Sequence, residues 1–143
     1  MKLWNDLDSN AKQIPTYNQF KYHLSHIDTP GKSPDYFHVG DRKSNILITR
    51  LRHSCSILKA DLFKVNLVST QNCSCGHPIE DSYHFLLQCP NYRAQRNILF
   101  AKLINYHPLT KDKLLYGDVN LAESENRQIF TSVQKFLLSS KRF

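Results

Sequence analysis

The 143-residue chain has the length of one domain, and with 41% hydrophobic and 11% aromatic residues it is too rich in core-forming side chains to be a disordered tail. Its formal charge of +7 and pI near 9.3 favour an anionic partner such as nucleic acid or an acidic surface. No run of about 18 apolar residues is present to span a bilayer, and Met1-Lys2-Leu3-Trp4-Asn5-Asp6 lacks the apolar stretch of a secretion signal. The expected setting is therefore intracellular and reducing, nuclear or cytoplasmic, with no membrane partner; there, thiols bind metal more often than they form disulfides.

In chain order, Thr16 and Gln19 have capping-box spacing ahead of Phe20, Leu24 and Ile27, which predicts a helix from Tyr17 to about His26. Residues 28–41 contain Pro30, Gly31, Pro34 and Gly40 and read as a linker. A second helix is expected from Ser44, where Leu47, Leu51, Cys55, Leu58 and Leu62 recur at intervals of three and four. Cys55 lies inside that stripe and reads as a small buried hydrophobe. Phe63, Val65 and Leu67 alternate, which predicts a short extended segment. Farther on, Ile98, Leu99, Leu103 and Ile104 predict a helix stopped by Pro108, and Leu114-Leu115-Tyr116-Gly117 is a short apolar run ended by glycine. Asn120 and Glu123 offer a cap for a last helix whose apolar face is Ile129, Phe130, Val133, Phe136 and Leu137. The reading is a mainly α fold with little β, small and organised around a Cys-Cys-His-Cys zinc knuckle. It divides into an amino-terminal helical segment and linker (1–41), a basic helix with the knuckle (42–111) and a carboxyl-terminal helix (112–143).

The knuckle rests on Cys73, Cys75, His84 and Cys89, which fall within 17 residues. Thiolate and imidazole suit tetrahedral Zn2+, and three sulfurs with one nitrogen close the coordination sphere, so the metal is structural and not catalytic. Cys73-Ser74-Cys75-Gly76 can turn around one ion, because Gly76 tolerates positive φ and the amides it releases can donate to sulfur. His84 and Cys89, five apart, would diverge by about 140° on one α-helix. Pro90 offers a way out, since it biases Cys89 away from the helical region and suits the start of a new helix. His77 or Cys55 can replace one of the four ligands, with His53 a weaker candidate, and structural cysteines without metal are the plainer alternative.

The basic excess sits before and within the cluster: residues 42–70 carry six Lys or Arg against one acid. Arg42, Lys43, Arg50, Arg52, Arg93 and Arg96 are the residues expected against phosphate. Three functions compete. They are a zinc-dependent nucleic-acid-binding module, a protein-interaction scaffold with a structural zinc, and a hydrolytic zinc enzyme using Glu80 or Asp81 as base. The last needs an open coordination position, which four good ligands deny.

The stretch His84-Phe85-Leu86-Leu87-Gln88-Cys89-Pro90-Asn91-Tyr92, with Arg96 four residues on and Cys73-Ser74-Cys75-Gly76 before it, resembles the zinc-knuckle region at the carboxyl end of reverse transcriptases of non-long-terminal-repeat retrotransposons. Gly40-Asp41-Arg42-Lys43-Ser44-Asn45, Arg50-Leu51-Arg52-His53, the early Leu3-Trp4-Asn5 with Phe20-Lys21, and the closing Lys141-Arg142-Phe143 extend the likeness over nearly the whole chain. The resemblance implies that Cys73, Cys75, His84 and Cys89 bind zinc and that the knuckle engages template RNA or target DNA. It also implies a partner in the rest of a reverse transcriptase polyprotein. Polymerisation needs an adjacent pair of metal-binding aspartates, and the chain has no Asp-Asp, so the expected role is non-catalytic.

Overall fold

A capped start and an early stop define the first described helix of the computed structural model, which describes Phe37 and residues 39–143. The helix expected at Tyr17–His26 lies outside the described residues, as does most of the expected linker. Helix α1 spans Arg42–Arg52. The Asp41 carboxylate accepts from the Ser44 N–H at 3.0 Å and the Ser44 hydroxyl at 2.8 Å, satisfying a backbone donor that has no partner inside the helix. Ser44, Leu47, Ile48 and Leu51 form its buried face.

The single helix expected from Ser44 through Leu62 is divided. It stops at Arg52, Ser54 takes a left-handed φ of 50°, and a second helix, α2, runs Lys59–Lys64. The Ser-Cys-Ser run between them offers the backbone side-chain partners that compete with helix. The Ser56 N–H and hydroxyl both donate to the buried Asp61 carboxylate, at 3.1 and 2.6 Å, and the Leu58 N–H donates to Ser56 Oγ at 3.2 Å. Leu58 stays in the core at 0% exposure, but Cys55 swings out and is exposed, contrary to its expected place in the stripe. The extended segment expected at Phe63, Val65 and Leu67 is also absent. Phe63 lies in α2, Val65 ends it and Asn66 turns left-handed at φ 57°.

Three further α-helices follow among the described residues: α3 (Arg93–Lys102), α4 (Lys111–Tyr116), whose Thr110 hydroxyl accepts from the Lys113 N–H, and α5 (Glu123–Ser140). Asn120 does not cap α5. It sits in a turn on the Asp118 carboxylate, while Glu125 accepts from the Ala122 N–H at 2.8 Å and sets the helix start two residues later. Buried Asn126 then ties the loop down, accepting from the Asp118 N–H and donating to the Asp118 and Leu121 carbonyls.

The fold is mainly helical, with no strand among the described residues. Helix α5 packs on α1, α3 and α4, so residues 42–111 and 112–143 supply one hydrophobic core within the unit Asp35–Phe143. No described helix is long and apolar enough to cross a membrane.

Two contacts tie this core to the cysteine-rich segment. Phe85, fully buried, meets Tyr92, Phe136 and Phe143 with ring centroids 4.9, 5.3 and 5.4 Å away. Glu80, 3% exposed, receives Arg142 as a fork, Nε to Oε1 at 2.8 Å and Nη2 to Oε2 at 2.9 Å, and also accepts the Lys59 N–H at 3.0 Å. Burial pushes the Glu80 carboxyl up, but the Arg142 fork and the Lys59 amide outweigh it and hold the acid below its ordinary range.

Phe85→Ala should cost about 3–5 kcal/mol in denaturant unfolding, the range for a buried phenylalanine, whereas Val65→Ser, at a site 62% exposed, should stay within about 0.5 kcal/mol. Because the folded Glu80 is the stronger acid, its contribution is complete above an unfolded pKa of about 4.3 and is lost as pH falls through the folded value. Urea midpoints measured from pH 6 to pH 3 should therefore fall less steeply in Glu80→Gln than in the natural sequence; parallel curves would contradict the assignment.

Candidate metal centre

The loop between α2 and α3 is built by backbone hydrogen bonds in a small nested set. The Glu80 N–H donates to Gln71 O at 2.8 Å, the Cys73 N–H to His77 O at 2.8 Å, and the Gly76 N–H to Cys73 O at 3.0 Å. The innermost bond closes a tight turn over Cys73, Ser74 and Cys75. Gly76 has φ 92°, and an added Cβ would meet nothing within 4 Å, so glycine is required there for backbone conformation and not for space.

Asp81 starts the second half of the site. Its carboxylate accepts from the His84 N–H at 2.7 Å and its carbonyl from the Phe85 N–H at 2.9 Å, placing His84 in the first helical turn. From His84–Gln88 the chain is π-helical, closed by the Cys89 N–H donating to His84 O at 2.7 Å. This i→i+5 bond widens the turn and carries residues five apart to the same side, which an α-helix does not do. Cys89 is then non-helical, at φ −55° and ψ 121°, and Pro90 opens a short 3₁₀ turn, Pro90–Tyr92, leading into α3. Pro90 thus ends the turn as its sequence position implies, but the wide turn itself had no sequence expectation.

These two halves bring Cys73, Cys75, His84 and Cys89 together, with all four ligand atoms within 4.8 Å of one another. Cys73 Sγ lies 3.7 Å from Cys89 Sγ, and Cys75 Sγ lies 3.2 Å from His84 Nε2. Thiolate–metal bonds of about 2.3 Å at tetrahedral angles set sulfurs about 3.8 Å apart. The sulfur separation is far from the ~2.05 Å of a disulfide, and the cysteines are unpaired. The donor set and its spacing fit a tetrahedral metal ion.

The electrostatics of the four groups differ. Burial pushes the Cys89 thiol up to about 12, while the His77 amide, donating to Cys75, lowers that thiol's pKa. His84 is held below its ordinary value by burial and by the neighbouring His77, which favours the neutral imidazole that coordinates metal. With His84 at 3%, Cys73 at 5% and Cys89 at 0% exposure, three of the four groups are shielded from water.

His77 and Cys55 do not join the group. His77 instead stacks on His84, ring centroids 4.0 Å apart and 12° from parallel, with its Nδ1 2.8 Å from Ile79 O. His53 is exposed at the end of α1. Glu80 and Asp81, the carboxylates expected in a hydrolytic site, are engaged by Arg142 and by the His84 amide.

The six basic residues expected against phosphate separate into two groups. Arg42, Lys43, Arg50 and Arg93 are exposed, and Arg42, Ile46 and Arg50 follow one face of α1 beside Lys43 and Phe143 in an open groove. Arg52 faces inward. Its guanidinium lies over the rings of Phe37 at 3.9 Å and Phe130 at 5.0 Å, and its Nε donates to Leu115 O. Arg96 is 6% exposed and donates to the carbonyls of Phe85, Leu86 and Cys89, so it is a support of the cysteine-rich turn and not a phosphate contact. Residue type and spacing carry no sign that Arg96 faces inward.

No family model, curated protein or solved structure matches the chain.

Metal removal should act locally. Exhaustive chelation is expected to abolish amide-exchange protection over residues 73–105, and Cys73→Ser should reproduce the effect without chelator. Unchanged protection there after verified metal loss would contradict a structural metal.

Proposed function

We propose that this chain is a non-catalytic, zinc-stabilised nucleic-acid-binding module, corresponding to the carboxyl-terminal part of a non-long-terminal-repeat retrotransposon reverse transcriptase polyprotein. The observation that carries the reading is the convergence of three thiols and one imidazole, all within 4.8 Å, with three of the four groups buried. Soft sulfur ligands with one nitrogen in tetrahedral spacing select Zn2+ over the oxygen-seeking divalent ions. A complete ligand set leaves no position for a reacting water, and both nearby carboxylates already have partners, which argues against hydrolysis. The Cys-Cys-His-Cys-Pro block and its flanks resemble the retrotransposon knuckle in residue type and spacing.

Nucleic acid is the partner favoured by charge. Arg42, Lys43 and Arg50 project from α1, with Arg93 at the start of α3, and phosphates are their natural counter-ions. The contact is predicted to be sequence-tolerant, since phosphate contacts position a protein without reading bases. A protein-interaction scaffold is the second reading, favoured by Val65 and Leu67, which expose 62% and 71% of their surfaces just after α2.

The Arg42→Ala, Arg50→Ala double variant should bind RNA or DNA several-fold more weakly, equally across sequences. Its log–log salt slope should be shallower by about 1.4 for single strands and about 1.8 for duplex, two contacts' worth of released counter-ion. Arg52→Ala should act through stability instead. Zinc-loaded protein that binds neither RNA nor DNA at low salt would overturn the nucleic-acid reading in favour of the scaffold.

A further inference from the structure

Backbone accounting around the wide turn leaves two carbonyls in need of donors. In a continuous α-helix Phe85 O would accept from the Cys89 N–H and Leu86 O from the N–H of residue 90. The Cys89 N–H is committed to His84 O at 2.7 Å, and Pro90 has no N–H to give. The geometry that lets His84 and Cys89 meet therefore orphans the carbonyls of Phe85 and Leu86, and both residues are 0% exposed and out of reach of water. Arg96 supplies the missing donors from the first turns of α3. Its Nε donates to Leu86 O at 3.0 Å and its Nη2 to Phe85 O at 3.2 Å, and the same Nη2 donates to Cys89 O at 2.6 Å.

We infer that Arg96 is a positioning residue for the metal centre: by holding the Phe85, Leu86 and Cys89 carbonyls it fixes the wide turn that directs His84 Nε2 and Cys89 Sγ to one ion. This rests on the metal reading above. The side chain suits the task for two reasons. A planar guanidinium presents several N–H groups in a fixed fork, whereas a lysine ammonium is a compact point charge that cannot serve three separated carbonyls in the same geometry. Its charge also matters, because three thiolates and a neutral imidazole on a divalent ion leave a net charge of −1 in a buried site. Arg96, itself buried and hydrogen-bonded to the Cys89 backbone, brings a compensating positive charge against it.

The test uses the full chain as the natural sequence, Arg96→Lys, Arg96→Met and Leu115→Ala, the last a core substitution that lowers stability from α4, a helix packed on α1 and α5. Zinc dissociation constants are measured by chelator competition, and the Co2+-loaded absorption spectrum reports coordination geometry. Arg96→Met should weaken zinc binding by about 100-fold and Arg96→Lys by about 10-fold, the range for residues that orient metal ligands, each with an altered Co2+ spectrum. Leu115→Ala should lower the thermal midpoint yet keep the dissociation constant within about twofold and the spectrum unchanged. Natural affinity and spectrum in Arg96→Lys and Arg96→Met would overturn the inference, as would an equal loss in Leu115→Ala. A natural sequence that takes up neither ion would overturn the metal reading itself, and this inference with it.

Discussion

The wide turn at His84–Gln88 is the constraint on which the rest of the cysteine-rich segment depends. Two ligands five residues apart cannot face one ion from an α-helix, and relaxing the helix by one residue per turn solves the angular problem while creating a hydrogen-bonding one. Pro90 both permits the exit of the chain at Cys89 and deepens the deficit by removing a donor. Arg96 answers it from the next helix. The convergence of His84 with Cys89 and the burial of an arginine are thus two consequences of a single backbone event.

The same turn links the site to the core. Phe85, immediately after His84, is the ring on which Tyr92, Phe136 and Phe143 converge. On the other side, Glu80 joins the loop to α2 through the Lys59 amide and to the end of the chain through Arg142. Metal binding of a structural kind contributes on the order of 10 kcal/mol to local folding. A metal held by Cys73, Cys75, His84 and Cys89 would pass that contribution directly into helix packing, because these residues alternate along the chain with core and ion-pair residues. The loop 71–81 contains few buried apolar side chains of its own, so these two ties anchor it to the core.

Much of this was legible in the residues. The clustering of Cys73, Cys75, His84 and Cys89, the glycine at 76 and the role of Pro90 follow from donor chemistry, spacing and backbone rules, and the helical content follows from periodicity. What escaped was set by tertiary competition. Cys55 matches the apolar stripe in register, yet Ser56 and Asp61 end the helix before the register can act. Phe63, Val65 and Leu67 alternate like a strand, but there is no described partner strand to pair with, and the local backbone closes into a helix end. Arg52 and Arg96 read as surface charge because sequence reports a side chain's type and not its direction. The signal for Arg96 was present in a weaker form: a proline six residues upstream, in a segment too apolar for water to satisfy its carbonyls. An odd six-residue interval is not a periodicity, so only donor-and-acceptor accounting exposes it.

Whether Cys73, Cys75, His84 and Cys89 together hold one ion decides what the cysteine-rich segment is for. Zinc K-edge X-ray absorption on the purified, zinc-loaded protein measures that most directly. Three sulfurs at about 2.3 Å and one nitrogen at about 2.0–2.1 Å are predicted, and this first shell should lose one sulfur in Cys89→Ser. A shell containing water or carboxylate oxygen, or a second histidine in place of a sulfur, would contradict the Cys73, Cys75, His84 and Cys89 site.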